Sequence, residues 1–326
     1  IYNWGIIGTG FIAQKMANAL LLVPQSKLYA VASRNISTAT DFATTHNCKA
    51  YGSYEELAND PDIDIVYIAT PHNYHCENTL MCISKGKHVL CEKPFAVNGN
   101  EVRQMIDAAR EKGVFLMEAL WTRFNPRVIN VKDIIESGQL GKIKLFTGNL
   151  GDQKLFDPSN RFFSKQLIGG SLLDLGIYPL FMALLMLGKP KTIKAVAGIG
   201  VTGVDTNCSI TLGYEDDAIA ILHSSLVAAT DGTSTVYCEK GKIEFGSAVY
   251  APEQVTLVTS DGRTEDITLK LTGNYYQYEA IEVVRCIEAG KNSSILWSWD
   301  DSIMLIDMLD EIRRQIGLVY EGHDIG

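Results

Sequence analysis

The stretch Asn3-Trp4-Gly5-Ile6-Ile7-Gly8-Thr9-Gly10-Phe11-Ile12-Ala13 decides how the rest of the chain is read. It opens as an apolar run, turns at Gly8 and Gly10, and enters the helix-like segment Gly10–Leu22. A G-x-G-x-x-A pattern between a strand and a helix has a physical purpose. The first glycine permits a tight turn, the second lets a pyrophosphate approach the backbone, and the alanine lets helix and strand pack closely. The helix N-terminus then offers aligned N–H donors to the anion. Gly8, Thr9, Gly10, Phe11 and Ile12 are therefore the expected pyrophosphate contacts. A glycine-rich turn can also merely join two elements, so the segments that follow carry weight.

Those segments alternate. Apolar runs at Tyr2–Ile7, Lys27–Ser33, Ile63–Ala69, His88–Cys91 and Val114–Met117 read as strands. Gly10–Leu22, Glu55–Asn59, Tyr74–Lys85 and Asn98–Lys112 between them read as helices. Strand–helix alternation implies right-handed βαβ units in a parallel sheet covered on both faces, the doubly wound α/β architecture of a Rossmann domain. After Trp121 the pattern changes. Pro126–Ser137 and Ser171–Leu187 read as helices, and Lys142–Asn149 as a strand. The runs Thr192–Gly200, Asn207–Gly213, Ala218–Leu226, Thr233–Glu239, Lys242–Phe245 and Gln254–Thr259 also read as strands, with few helices among them. Helices at Tyr275–Ala289 and Trp299–Ile316 close the chain. A C-terminal α+β domain with a large open antiparallel sheet is expected. The expected domains are residues 1–120 for the cofactor and 121–326 for substrate binding and dimerisation, with ligand in the cleft.

A length of 326 residues suits two domains. A formal charge of −9 repels phosphate backbones, which argues against a nucleic-acid partner. The seven cysteines form no C-x-x-C pair and are odd in number, pointing to reduced thiols rather than disulfides or a metal cluster. No unbroken apolar stretch reaches the ~20 residues of a membrane span, and no basic leader is visible. A cytoplasmic protein with no membrane partner and no metal is expected.

The second strand ends at Ser33-Arg34, where an NAD site usually offers an acid to the ribose hydroxyls. Serine can hydrogen-bond a 2′-phosphate, and arginine can pair with it and stack on adenine, so NADP is expected ahead of NAD. Two further motifs lie at carboxyl ends of strands, where open α/β sheets bind ligands: Thr70-Pro71-His72-Asn73-Tyr74-His75 and Cys91-Glu92-Lys93-Pro94-Phe95. Thr70, Pro71, His72, His75, Glu92 and Lys93 join the expected cofactor site. His72 and His75 could ligate a metal, but no third ligand stands at suitable spacing; they are expected to line the nicotinamide-ribose site or to cap the following helix, and the role of His72 is open. Trp121, Arg123 and Phe124 open the second domain with an aromatic and a cation suited to a ring or polyol substrate, although Trp121 suits plain packing equally. The role of Glu118 is open.

In order and spacing, GTGFIA, TPHNYH, CEKPF and the later Gly169-Gly170-Ser171-Leu172-Leu173-Asp174-Leu175-Gly176-Ile177-Tyr178-Pro179 resemble the glucose–fructose oxidoreductase/inositol dehydrogenase (Gfo/Idh/MocA) family. The resemblance spans both halves. It implies hydride transfer between a secondary alcohol and a nicotinamide, and a homo-oligomer, most simply a dimer, formed through the open sheet. Tyr178 stands where many members carry a catalytic histidine. With Met117–Pro126, this looks like the dimeric dihydrodiol dehydrogenase branch and its xylose-dehydrogenase-like relatives. That branch implies Tyr178 as general acid/base beside Lys93, with Asp174 orienting the pair or the substrate. The chemistry is reasonable: a phenol with a pKa near 10 is a poor base until a neighbouring ammonium stabilises the phenolate. Without the resemblance, Tyr178 reads as a core aromatic and Asp174 equally as an acid favoured by a helix dipole. The expected substrate is a sugar, polyol, dihydrodiol or related carbonyl compound. The competing expectation is an NADP-binding regulator of the same fold without turnover.

Overall fold

The computed structural model describes residues 1–324. The chain divides into two compact units, Ile1–Phe124 with Leu271–Ile303, and Asn125–Lys270 with Met304–Gly326.

The first unit begins with β1 (Tyr2–Ile7), α1 (Phe11–Leu20), β2 (Ser26–Ala32), α2 (Ile36–His46), β3 (Lys49–Tyr51) and α3 (Tyr54–Asn59). It continues with β4 (Ile65–Ile68), α4 (His75–Ser84), β5 (His88–Glu92), α5 (Gly99–Lys112) and β6 (Leu116–Ala119). The six strands are parallel in the order β3-β2-β1-β4-β5-β6. This is the Rossmann arrangement, whose order reverses between β1 and β4 and opens a crevice at the carboxyl ends there. β4 and β6 are buried along their whole lengths and β5 along all but its first residue, as strands covered on both faces must be.

Two elements here escape the sequence pattern. The α2 segment is rich in threonine and serine, poor helix formers that compete for backbone hydrogen bonds. It is held instead by its ends, while its hydroxyls bond back onto the helix itself. The Asn35 side chain accepts from Ser37 N at 2.9 Å, and Asn47 ends the helix in a left-handed conformation. Thr40, Thr44 and Thr45 each donate to the carbonyl four residues back. β3 has only three residues, too few to show alternation.

The second unit holds α6 (Pro126–Glu136), β7 (Ile143–Gly151), α7 (Ile177–Leu187) and then β8 (Thr192–Ile199), β9 (Asp205–Gly213) and β10 (Ile219–Ser225). It adds β11 (Ser234–Cys238), β12 (Gly241–Phe245), β13 (Val255–Thr259) and β14 (Thr264–Asp266). The strand order is β14-β13-β12-β11-β7-β10-β9-β8. The sheet is mixed rather than wholly antiparallel: β7 and β10 pair in parallel. A parallel neighbour needs a long crossover; the chain leaves β7 through α7 and the β8–β9 hairpin before returning. Burial alternates along β8, β9 and β10, so one face lies against the unit's core. The other leaves Val196, Ile219 and Ile221 exposed.

The run Lys165–Leu187 is long and apolar enough to cross a membrane by length and composition alone, yet most of it is buried inside the protein. Its apolar surface is therefore that of a core helix.

The chain then returns to the first unit as α8 (Tyr276–Glu288), and α9 (Trp299–Ile316) begins there and ends in the second. This departs from a single boundary at 120. The cause is tertiary packing: Trp121 stacks on Tyr276 with ring centroids 4.6 Å apart, and Trp299 donates its indole N–H to Leu116 O at 2.9 Å.

Candidate active site

The expected cofactor residues fall at the carboxyl ends of four neighbouring strands of the first unit. Gly8–Ile12 follow β1, Ser33-Arg34 follow β2, Thr70–His75 follow β4, and Glu92-Lys93 end β5. Gly8 adopts φ +104°, and a Cβ there would stand 2.6 Å from Ala69 O, so only glycine lets β1 turn this close to β4. At Gly10 the situation is reversed: a Cβ would meet nothing within 4 Å. Gly10 is also the N-cap of α1, which makes no side-chain capping bond. An open cradle over uncapped helix N–H groups fits a pyrophosphate, and Ala13, fully buried, keeps helix and sheet close.

Arg34 is exposed and its guanidinium lies over the Tyr74 ring at 5.4 Å, so the cation is already oriented at the end of β2. The Ser33 hydroxyl accepts from Asn35 N at 3.3 Å, which keeps the loop turned.

The lysine loop is fastened from several sides. His75, expected as a cofactor contact, is instead fully buried with both ring nitrogens on carbonyls: Nδ1 lies 2.8 Å from Pro94 O and Nε2 2.9 Å from Thr70 O. It ties the β4 loop to the β5 loop, and burial holds its pKa below the ordinary histidine value. Glu118 accepts from Phe95 N at 3.1 Å, from Trp297 Nε1 at 3.1 Å and from Ser302 Oγ at 2.8 Å. Burial pushes its carboxyl up, and these three donors and the Lys93 charge pull it back. Glu118 thus anchors the loop that carries Lys93. Glu92 accepts from the Tyr67 hydroxyl and, at 3.2 Å, from Lys93 N. The neighbouring Glu279 of α8, which the sequence did not mark, is fully buried; burial and the Glu92 charge push it well above the carboxylate range. His72 packs its ring against His75 at 5.6 Å, edge to face.

The expected substrate contacts in this unit are occupied by protein. Trp121 is stacked on Tyr276, Arg123 Nε donates to Leu296 O at 2.7 Å, and Phe124 is buried. These partners lie more than 150 residues away in sequence, beyond what local pattern reveals.

In the second unit, Asp174 lies in the π-helical turn Leu172–Gly176 that leads into α7, and Tyr178 in the first turn of α7. Both are largely buried. The Tyr178 ring packs 5.2 Å from that of Tyr250. Asp174 pairs with Arg161 at 3.0 Å, a cation that the sequence reading missed because it sits 13 residues upstream in an irregular loop.

Together the Rossmann order, the open glycine cradle at the end of β1 and the fastened lysine loop at the end of β5 define an oxidoreductase unit built for a dinucleotide. Residues 2–120 match the model of an oxidoreductase family with an NAD-binding Rossmann fold, and residues 128–244 match the GFO/IDH/MocA C-terminal domain. The chain belongs to the Gfo/Idh/MocA oxidoreductase family. It is 38% identical over 329 residues to a trans-1,2-dihydrobenzene-1,2-diol dehydrogenase of Xenopus laevis, covering 98% of this chain and 99% of that one. Among solved structures it resembles a 3-ketoreductase from Actinomadura kijaniata in complex with NADP and TDP-benzene. There the TM-score is 0.86 at 24% identity, covering 97% of this chain and 98% of that one. A levoglucosan dehydrogenase in complex with NADH and levoglucosan gives a TM-score of 0.87 at 23% identity, with 97% of each chain covered.

Proposed function

We propose that the chain is an NADP-dependent dehydrogenase or reductase. It would transfer a hydride between nicotinamide and a secondary alcohol or carbonyl of a dihydrodiol, sugar or polyol. The observation that carries this reading is the lysine loop at the end of β5, held by His75 and Glu118, on the same sheet edge as the open cradle of α1 at the end of β1. Full-length similarity to a dihydrodiol dehydrogenase supports the substrate class.

The residues present fit the cofactor. Gly8–Ile12 would hold its pyrophosphate, and Arg34, steadied on Tyr74, its 2′-phosphate, with Ser33 donating. When bound, the nicotinamide supplies or accepts the hydride. Reduction of a carbonyl leaves an alkoxide that needs a proton, and Tyr178 is the group proposed to give it. The Lys93 ammonium stabilises the resulting phenolate and polarises the substrate oxygen. Asp174, held by Arg161, orients the hydroxyl-bearing partner. In line with its free cysteines, the protein is read as cytoplasmic. Its exposed apolar sheet face is read as the surface of a homodimer.

Spectrophotometric turnover of NADPH and NADP on a panel of dihydrodiols, sugars and dicarbonyls tests the activity. Tyr178→Phe tests the proton donor, with kcat expected to fall ~10²–10⁴-fold. Near-native kcat in that variant would move the role elsewhere. NADP binding without turnover on any panel member would favour a regulator.

A further inference from the structure

The segment that carries Asp174 and Tyr178 is bounded at its start by a buried carboxylate from a distant strand. Asp205, the first residue of β9, is fully buried. Its Oδ2 accepts from Ser171 Oγ at 2.7 Å and from Leu172 N at 2.7 Å. Ser171 occupies the N-cap position of the π-helical turn, where serine usually caps with its own oxygen. Here it makes no capping bond, and its hydroxyl donates to Asp205 while lying 3.0 Å from Ser224 Oγ. The helix cap is therefore supplied in trans, by a carboxylate 33 residues downstream of the N–H it satisfies.

The backbone is built around that carboxylate. Gly170 has φ +130°, and a Cβ there would stand 2.2 Å from Asp205 Oδ1, so the side chain fits only because residue 170 is glycine. On the other side, the Tyr320 hydroxyl donates to Gly169 O at 2.6 Å. Among the described residues Asp205 Oδ1 itself has no hydrogen-bond partner. Among the described residues Asp205 has no ion-pair partner either. The titratable groups acting on it or acted on by it are Cys208 of its own strand and Tyr320 of the C-terminal segment. Ser171 and Ser224 face it from the π turn and from β10.

We propose that Asp205 is a positioning residue for the proton-transferring segment, and that its ionised form is what fixes the register of Asp174 and Tyr178. A negative charge suits this place, since a helix N-terminus presents unsatisfied N–H groups and positive potential. Burial opposes the charge and raises the carboxyl to about 7, while the bonds from Ser171 and Leu172 pull it down. The sign follows. A raised folded-state pKa means that stability is lost as pH rises through it, because the buried group must then ionise. An ionised Asp205 thus lowers stability, and the protein keeps it for geometry. This inference rests on Tyr178 being the proton donor.

Asp205→Asn separates these effects, because the amide reproduces the shape of the protonated acid at every pH. Its urea midpoint relative to native should move in the variant's favour as pH rises from about 5.5 to about 8.5. At the upper pH its kcat should fall at least tenfold while its Kd for NADP stays within about twofold. Native kcat should decline as pH falls through about 7, and the variant should lack that limb. Ser171→Ala provides a second route if the amide variant does not fold. It removes a donor to the ionised form, so the limb should shift to higher pH. An Asp205→Asn enzyme with native kcat and the native limb overturns the proposal, as does a limb unmoved in Ser171→Ala. If Tyr178→Phe is impaired and Asp205→Asn is not, only this inference fails. If Tyr178→Phe itself has native kcat, the reading beneath it fails first.

Discussion

Replacing Glu118 by alanine should destabilise the first unit by about 2–4 kcal/mol. Three donors share its carboxylate: Phe95 N, Trp297 Nε1 and Ser302 Oγ. The serine hydroxyl can rotate to another acceptor, but a backbone N–H and an indole N–H are fixed by their frames. Each buried donor left unpaired costs about 1–3 kcal/mol, so the two together cost about 2–6. Against this, alanine removes a carboxylate whose burial is itself unfavourable, as its raised pKa records. The smaller range is the difference. For a unit of this size each kcal/mol shifts the midpoint by about 2–4 °C, so thermal unfolding followed by circular dichroism should move down by roughly 5–15 °C. Glu118→Gln keeps one accepting oxygen and should lose about half as much. Since Phe95 N is the contact that holds the lysine loop, kcat measured well below the midpoint should fall in Glu118→Ala while folding is intact. A midpoint within about 1 °C of native would refute the reasoning, because it would mean that the three donors find other partners at no cost.

Two further outcomes are expected. NADP should bind at least ~10-fold more tightly than NAD, a difference of about 1.4 kcal/mol, and Arg34→Ala should abolish most of that preference by calorimetric titration; equal affinities in the native protein would show that Ser33 and Arg34 do not select the cofactor. Light scattering at micromolar concentration should find twice the 35.9 kDa chain mass, and Ile221→Lys on the exposed sheet face should yield the monomer; a monomeric native protein would show that this face is not self-covering.

What the sequence disclosed and what it hid follow a physical divide. Gly8, Gly10 and the strand ends around them were legible because glycines and strand-terminating prolines act on the backbone where they stand. α2 was hidden because its threonines argue locally against a helix that its caps nevertheless hold. His75 was legible as a residue of the site but not in what it does there, since only the fold brings Thr70 O and Pro94 O to its two nitrogens. Arg123 likewise reads as a cation for substrate until Leu296 O meets it 173 residues away. Asp205, Arg161 and Glu279 belong to no motif, and their meaning lies wholly in partners that the chain brings together late.

That lateness matters for how the protein is made. The first unit is interrupted: its opening 124 residues are finished by Leu271–Ile303, with the bulk of the second unit translated in between. A nascent chain that has emerged only to Phe124 holds the whole parallel sheet, yet Glu118 has neither Trp297 nor Ser302, and Trp121 lacks Tyr276. The cofactor half therefore cannot complete itself in order of synthesis. It waits through nearly 150 residues of other structure for its last pieces. A fragment cut at 124 would present an exposed indole and a carboxylate stripped of two donors. Excising a working dinucleotide module from this chain means taking both segments and joining them, not trimming at one boundary.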